Sequence, residues 1–224
     1  MENKTCKPIF EGYGRGRLHK RGGNRYWRWK RVSDVLIALA FLLILSPVFL
    51  IISLAIVLTS EGPAIYRQER IGKNGKTMRI LKFRTMVKDA DERIDLFTPE
   101  QRLQWSEKYK LDDDPRITKI GRFLRKSSLD ELPQLVNVLK GEMSLIGPRP
   151  VVREELEKYG SRKDEFLSVT PGLTGYWQAY ARSDCDYDRR MQMELDYVHH
   201  ANFWWDIEIL LVTCKSVLQG KGAQ

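Results

Sequence analysis

Between Gly121 and Pro150 the chain reads GRFLRKSSLDELPQLVNVLKGEMSLIGPRP. Two carboxylates, Asp130 and Glu131, stand side by side, with Arg122, Arg125 and Lys126 before them and Arg149 after. Arg149 lies between Pro148 and Pro150. Their rings fix the local backbone, so less entropy is lost when the arginine grips an anion. A fixed arginine with other basic residues nearby suits a dianion or a diphosphate. A carboxylate beside such a clamp can attack phosphorus. A divalent cation would then offset the repulsion between carboxylate and phosphate. A plainer account competes: Ser127 or Ser128 caps a helix, and Asp130 or Glu131, three residues on, is the capping-box acid. There is no P-loop, HExxH or GxSxG. His199 and His200 are adjacent and His19 is remote, a poor basis for a metal cluster.

The second informative segment is Val35 to Leu58, 24 residues without a charge. As one helix it would be about 36 Å long, against a hydrocarbon core of about 30 Å. Ser46-Pro47 falls near its centre. Pro47 offers no N–H to the carbonyl of Leu43, and the Ser46 hydroxyl can bend the helix further by bonding Leu42. Basic residues flank both ends: eight Lys/Arg between Arg15 and Arg31, then Arg67, Arg70, Lys73, Lys76, Arg79, Lys82 and Arg84. The positive-inside rule keeps both flanks on the cytoplasmic side, which one spanning helix cannot satisfy. A re-entrant helix–break–helix broken at Ser46 and Pro47 can.

The charge distribution agrees. The chain of 224 residues has a net charge of +9, and residues 1–34, with ten Lys/Arg and three acids, supply +7 of it. That basic excess sits in a Gly-rich arm ending in Tyr26, Trp27 and Trp29, as at an anionic membrane surface; a nucleic-acid-binding face would carry it on a folded domain. Hydrophobic residues at 42% and charged residues at 30% exclude a disordered tail. A single long apolar run excludes a polytopic membrane protein. Cys6, Cys185 and Cys214 form no CxxC and no even set, so a disulfide framework or zinc cluster is excluded and a reducing compartment is implied.

The remaining elements must position the carboxylates. Asn74-Gly75 between two β-competent runs predicts a hairpin, its second strand alternating Leu81 and Phe83 against Lys82 and Arg84. Val87–Lys110 reads as an amphipathic helix broken near Thr98-Pro99. Leu111–Arg116 is a loop. Leu132–Leu139 is a helix stopped by Gly141. Ile146–Pro150 is a rigid turn, Val151–Phe166 a polar helix, and Thr170–Gly172 another turn. One or two helices follow Asp188. In the last, Ile207, Leu210, Leu211, Cys214, Val217 and Leu218 share a face that suits either a core or, with Phe203–Trp205 at its start, a membrane interface.

Taken in order, KRxxD (from Lys30), Ser46-Pro47, KFRTM (Lys82–Met86), SLDELPQLxNVLKGxMSLIGPRP, PGLTGxWQ (Pro171–Gln178) and DIxIL (Asp206–Leu210) resemble the bacterial sugar transferase family. These are monotopic phosphoglycosyl transferases that begin glycan assembly on polyprenyl phosphate. The resemblance runs from Lys30 to the C-terminus. It implies an α+β, mostly helical fold with a basic arm (1–34), a re-entrant membrane segment (35–60) and a catalytic domain (61–224) that carries interfacial amphipathic helices. A minimal catalytic unit is expected, without the additional transmembrane helices of the family's large subgroup.

The resemblance also implies a reaction. Asp130 matches the nucleophile, which would attack the β-phosphorus of a UDP-sugar, release UMP and hold the phosphosugar until polyprenyl phosphate takes it. Glu131 matches the second member of the dyad. Mg²⁺ is expected, with Asp130 as its protein ligand. Lys82, Arg125, Pro148 and Arg149 match the phosphate-binding positions, and Arg182 matches the arginine after PGLTGxWQ. Ala181 stands where the family has glycine. Glu194 aligns with a family aspartate, with Asp196 as its competitor. The implied partners are a UDP-sugar, with glucose or galactose favoured over an N-acetylated sugar, polyprenyl phosphate, membrane lipid and a glycosyltransferase acting next; nucleic acid is not among them. The implied location is the cytoplasmic face of the bacterial inner membrane. A non-catalytic scaffold with the same clamp, and an enzyme whose dyad only chelates Mg²⁺, are the alternatives.

Overall fold

The computed structural model describes residues 22–90, 92–108, 111, 114–181 and 186–219. Among these the fold is mostly helical α+β, with two small two-stranded sheets.

Helices α1 (Asn24–Ile44) and α2 (Ser46–Thr59) are bent by 62° at their junction. Neither is long and apolar enough to cross a membrane alone, though the bent pair together could be. Pro47 leaves the Leu43 carbonyl without its helical donor. The Ser46 hydroxyl donates to that carbonyl at 2.8 Å, not to Leu42 as the sequence suggested. One side of α2 packs on the body through Ile52 and Ile56, while Leu50, Ile51, Leu54 and Leu58 are exposed.

The KRxxD residues of α1 are inward ties, not part of a solvated basic flank. Lys30 donates to Asp206 at 2.7 Å, and Tyr26 and Tyr197 also donate to Asp206. Arg31 donates to the carbonyls of Val138 (2.5 Å) and Leu139 (2.8 Å). Asp34 accepts from the Ser144 hydroxyl at 2.7 Å and from Leu145 N–H at 3.2 Å. Three motif residues thereby fasten one helix to three separate elements. With Lys30 and Asp34 both buried, each charge depends on its partner for the solvation it has lost.

Strands β1 (Ile65–Ile71) and β2 (Thr77–Phe83) form the expected hairpin, with Ile65 opposite Phe83. Asn74 (φ 57°) and Gly75 (φ 75°) supply its left-handed turn. Both faces of β2 are covered, where simple alternation had suggested one. Met78 and Ile80 pack on Leu135 and Val138 of α5 (Gln134–Lys140), and Phe83 packs the other way, against Ile52, Ile56 and Leu124.

Thr98 caps α3 (Pro99–Lys108) in a reciprocal box with Gln101, but the stretch before it is a short 3₁₀ turn, Glu92–Leu96. The expected polar helix after Val151 is divided into α6 (Arg153–Glu157) and α7 (Lys163–Phe166), because Gly160 turns left-handed at φ 53°. A parallel pair that the sequence did not announce joins β3 (Ser144–Ile146) to β4 (Gly172–Thr174), with α6 and α7 in the crossover. A Cβ on Gly172 would stand 2.1 Å from the Gly147 nitrogen, so this close approach requires glycine.

Helices α8 (Tyr176–Tyr180), α9 (Tyr187–His200) and α10 (Phe203–Leu218) complete the fold. On α10 the buried side carries Asp206, Ile209 and Ser216, while Leu210, Leu211 and Val217 of the apolar face read from sequence are exposed. That face is not core.

Candidate active site

Helix α4 (Lys119–Lys126) is capped by Thr118, whose hydroxyl accepts from Gly121 N–H. A Cβ on Gly121 would meet the Thr85 carbonyl at 1.9 Å, so glycine lets α4 lie against the segment leaving β2. The docking puts Arg125 Nε 2.9 Å from the Thr85 hydroxyl. Ser128 then takes a left-handed conformation (φ 57°) and caps nothing with its side chain, while the Ser127 hydroxyl bonds back to Phe123 and Leu124. The capping-box account therefore fails. The strained residue instead turns the chain between α4 and the 3₁₀ turn Leu129–Glu131 that carries both acids.

Lys82, on the α5-facing side of β2, donates to Glu131 at 2.9 Å. Asp130 is half-buried, and its pKa is pushed up to about 6, first by burial and then by the Glu131 charge. Lys82 and Arg125 pull it down. Like charges side by side thus divide the pair: Glu131 takes the lysine and Asp130 stays poised near neutrality.

Pro148 is fully buried, and its carbonyl accepts from Gly172 N–H at 2.8 Å. The backbone N–H of Arg149 donates to both carboxylate oxygens of Glu194, each at 3.2 Å. Glu194 is completely buried on α9, and its pKa rises to about 7 from burial, with Arg190 and Arg149 opposing. Asp196 does not reach this turn; it accepts from Gln192 on its own helix. Lys82, Glu131, Arg149 and Pro150 meet with Arg70 around one small, open cleft. Arg182 lies outside the described residues.

Three contributors escaped the sequence reading. Arg70 comes to the cleft from β1, which only the strand register reveals. Thr85 orients Arg125. Asn137 is fully buried; it donates to the Arg79 carbonyl and to Glu142, and accepts from Leu81 N–H at 2.9 Å. It therefore clamps β2 beside Lys82. Its signal was a polar residue amid Leu135, Val138 and Leu139. Among the described residues, no group of three or more His, Cys, Asp or Glu could hold a metal ion.

Residues 25–220 match the family described as bacterial sugar transferase. The chain belongs to this family. It is similar to the undecaprenyl-phosphate galactose phosphotransferase of Salmonella typhimurium, 48% identical over 198 residues, covering 87% of this chain and 41% of that protein. It is 43% identical to the exopolysaccharide production protein ExoY of Rhizobium meliloti over 222 residues, 98% of this chain and 96% of that protein. Against the UDP-glucose:undecaprenyl-phosphate glucose-1-phosphate transferase of Escherichia coli it is 38% identical over 193 residues, 82% of this chain and 39% of the relative. The chain thus spans about two fifths of the length of several curated relatives that it matches. The matched span includes the Asp130–Glu131 pair and the Arg149 turn.

Proposed function

We propose that this chain transfers a sugar 1-phosphate from a UDP-sugar to polyprenyl phosphate, releasing UMP and initiating an exopolysaccharide or related glycan. The observation that carries the reading is the division of labour in the dyad. Glu131 is paired with Lys82, and its neighbour Asp130 sits half-buried with a pKa of about 6 beside arginines suited to phosphate. The relatives' names point to the same chemistry.

In the first step an Asp130 oxygen attacks the β-phosphorus. The bond from that phosphorus to the bridging oxygen breaks, and the electron pair leaves with UMP. In the second step a phosphate oxygen of polyprenyl phosphate attacks the same phosphorus, the acyl–phosphate bond breaks, and the Asp130 carboxylate returns. Lys82, Arg125 and Arg149 neutralise the phosphate oxygens, and Arg149 is aimed by the Glu194–backbone contact. Mg²⁺ suits the donor set: this ion commonly takes one or two carboxylates together with substrate phosphates. Asp130 would hold it, and it would supply charge neutralisation when bound.

The 62° bend at Ser46-Pro47, the exposed apolar faces of α1 and α2 and the exposed face of α10 support a re-entrant, monotopic seat on the cytoplasmic side of the inner membrane. UDP-sugar is cytosolic and the acceptor is lipid, so the site must lie at headgroup depth. A galactosyl or glucosyl donor is the first choice, from the relatives' names. The test is UMP release by purified protein with Mg²⁺, polyprenyl phosphate and a panel of UDP-sugars. No release with any donor would leave the scaffold reading.

A further inference from the structure

A second cavity, of about 570 Å³, lies between α1 and α10. Trp29, Ser33 and Ile37 form one wall and Phe203, Ile207 and Leu210 the other. It shares no lining residue with the cleft of Lys82, Glu131 and Arg149. Its volume falls within the roughly 300–1,000 Å³ typical of small-molecule sites.

The polar groups in its floor are turned to one another. Lys30 and Tyr26 bond Asp206, and Asp34 holds Ser144 and Leu145 N–H. A polar ligand would find these groups already engaged, whereas a hydrocarbon loses nothing by lying over them. The rims are exposed and aromatic: Trp29 is 68% and Trp204 71% accessible. Ile37 continues into the exposed apolar surface of α1 at Phe41 and Ile44. Arg25, one helical turn before Trp29 on the same stripe, and Arg28 are exposed at the other end. From Arg25 to Ile37 is twelve residues, about 18 Å of helix. That is close to the roughly 15 Å of hydrocarbon in one leaflet plus a headgroup.

We infer that this groove binds one acyl chain of an anionic bilayer phospholipid, with Arg25 and Arg28 taking its phosphate and Trp29 and Trp204 closing over the chain. The inference rests on the membrane seat proposed above. The assignment is to a bilayer lipid and not to the reacting acceptor, because its phosphate would sit at Arg25 and Arg28 and the groove shares no lining residue with the cleft of Lys82, Glu131 and Arg149. The bound chain would fill the groove between the helix that enters the membrane and the helix that lies on it, above the Lys30–Asp206 and Tyr26–Asp206 ties that join them.

Full-length protein is delipidated in detergent and titrated with phosphatidylglycerol or phosphatidylcholine, and retained lipid is counted by native mass spectrometry. One phosphatidylglycerol per chain, held in preference to phosphatidylcholine, is the expected result. Leu210→Trp and Ser33→Trp, which fill the groove from opposite walls, should each abolish retention with circular dichroism unchanged. Arg25→Ala and Arg28→Ala should each lower the phosphatidylglycerol preference about fivefold. The assignment is overturned by no retained lipid, by undiminished retention in both filled variants, or by equal retention of the two lipids. It also falls if polyprenyl phosphate displaces the lipid mole for mole, which would make the groove the acceptor's. A dimer that buries α10 without lipid would overturn it in favour of a second copy of the chain. UMP release measured on the same samples separates the two readings: activity without retained lipid removes only the groove assignment, and retained lipid without activity removes only the reaction.

Discussion

Glu131 lies 2.9 Å from Lys82, and its sequence neighbour Asp130 makes no ion pair among the described residues. Two adjacent carboxylates with the same intrinsic chemistry are thereby given different jobs. Glu131 takes Lys82 as its partner, and the half-buried Asp130 carries the raised pKa.

If Asp130 is the nucleophile, Asp130→Asn abolishes turnover, because an amide forms no acyl phosphate. Wild-type protein given UDP-sugar and Mg²⁺ without acceptor should gain the mass of one phosphosugar on the peptide containing Asp130. Hydroxylamine should remove it. Parallel initial-rate lines should accompany the adduct; intersecting lines without an adduct would reduce the dyad to a chelating pair.

The pH dependence follows from the same residue. UMP release, as kcat/KM, should rise through about pH 6 as Asp130 ionises and level off above it. Lys82 lowers the Asp130 pKa and Glu131 raises it. The rising limb should therefore move to higher pH in Lys82→Met and to lower pH in Glu131→Gln. Equal limbs in all three proteins would show that another group controls the profile.

If Arg149 grips the phosphate as proposed, Arg149→Ala should cost about two to three decades in kcat/KM, less than loss of the nucleophile. Its fold should survive, because the backbone N–H that holds Glu194 remains.

Glu194 bears on stability as well. Its folded-state pKa of about 7 lies above the ordinary 4.5, mainly through burial. A raised pKa means that the folded state binds the proton more tightly. This contribution is fully present below pH 4.5 and is lost as pH rises through about 7, on the order of 3 kcal/mol in all. Glu194→Gln, neutral at every pH, should flatten the fall in Tm between pH 5 and pH 8, and an unchanged slope would exclude Glu194 as its source.

Asn137→Ala strips three hydrogen bonds from a fully buried site and should destabilise the protein by about 1–3 kcal/mol. Because the freed strand carries Lys82, KM for the UDP-sugar should rise under conditions where the variant is still fully folded. A Tm loss with unchanged kinetics would make Asn137 purely structural.

Topology can be read by labelling in a background lacking Cys6, Cys185 and Cys214. Phe10→Cys and Gly222→Cys should both resist a reagent applied from the periplasm. Labelling at position 10 alone would overturn the re-entrant seat. Pro47→Ala restores a backbone donor to Leu43, so it should straighten the bend and lower activity.

The sequence by itself determined the features that local chemistry dictates. Asn74-Gly75 is a turn because few other pairs tolerate two left-handed residues. Ser46-Pro47 breaks the apolar run because proline has no N–H. The 121–150 stretch identifies the family because so many side chains in it are specified at once. What it could not decide were contacts between residues distant in the chain. Ser127 and Ser128 had the spacing of a capping box, but docking of α4 on Thr85 and the left-handed Ser128 took the chain elsewhere. Lys30 and Arg31 read as a solvated basic flank until Asp206 and the end of α5 enclosed them. The apolar stripe of α10 fitted either a core or an interface, and only the packing of Ile209 inward settled that it faces out. Spacing along the chain fixes what a residue can do, whereas burial and partners fix what it does, and those arise only when segments tens of residues apart are brought together.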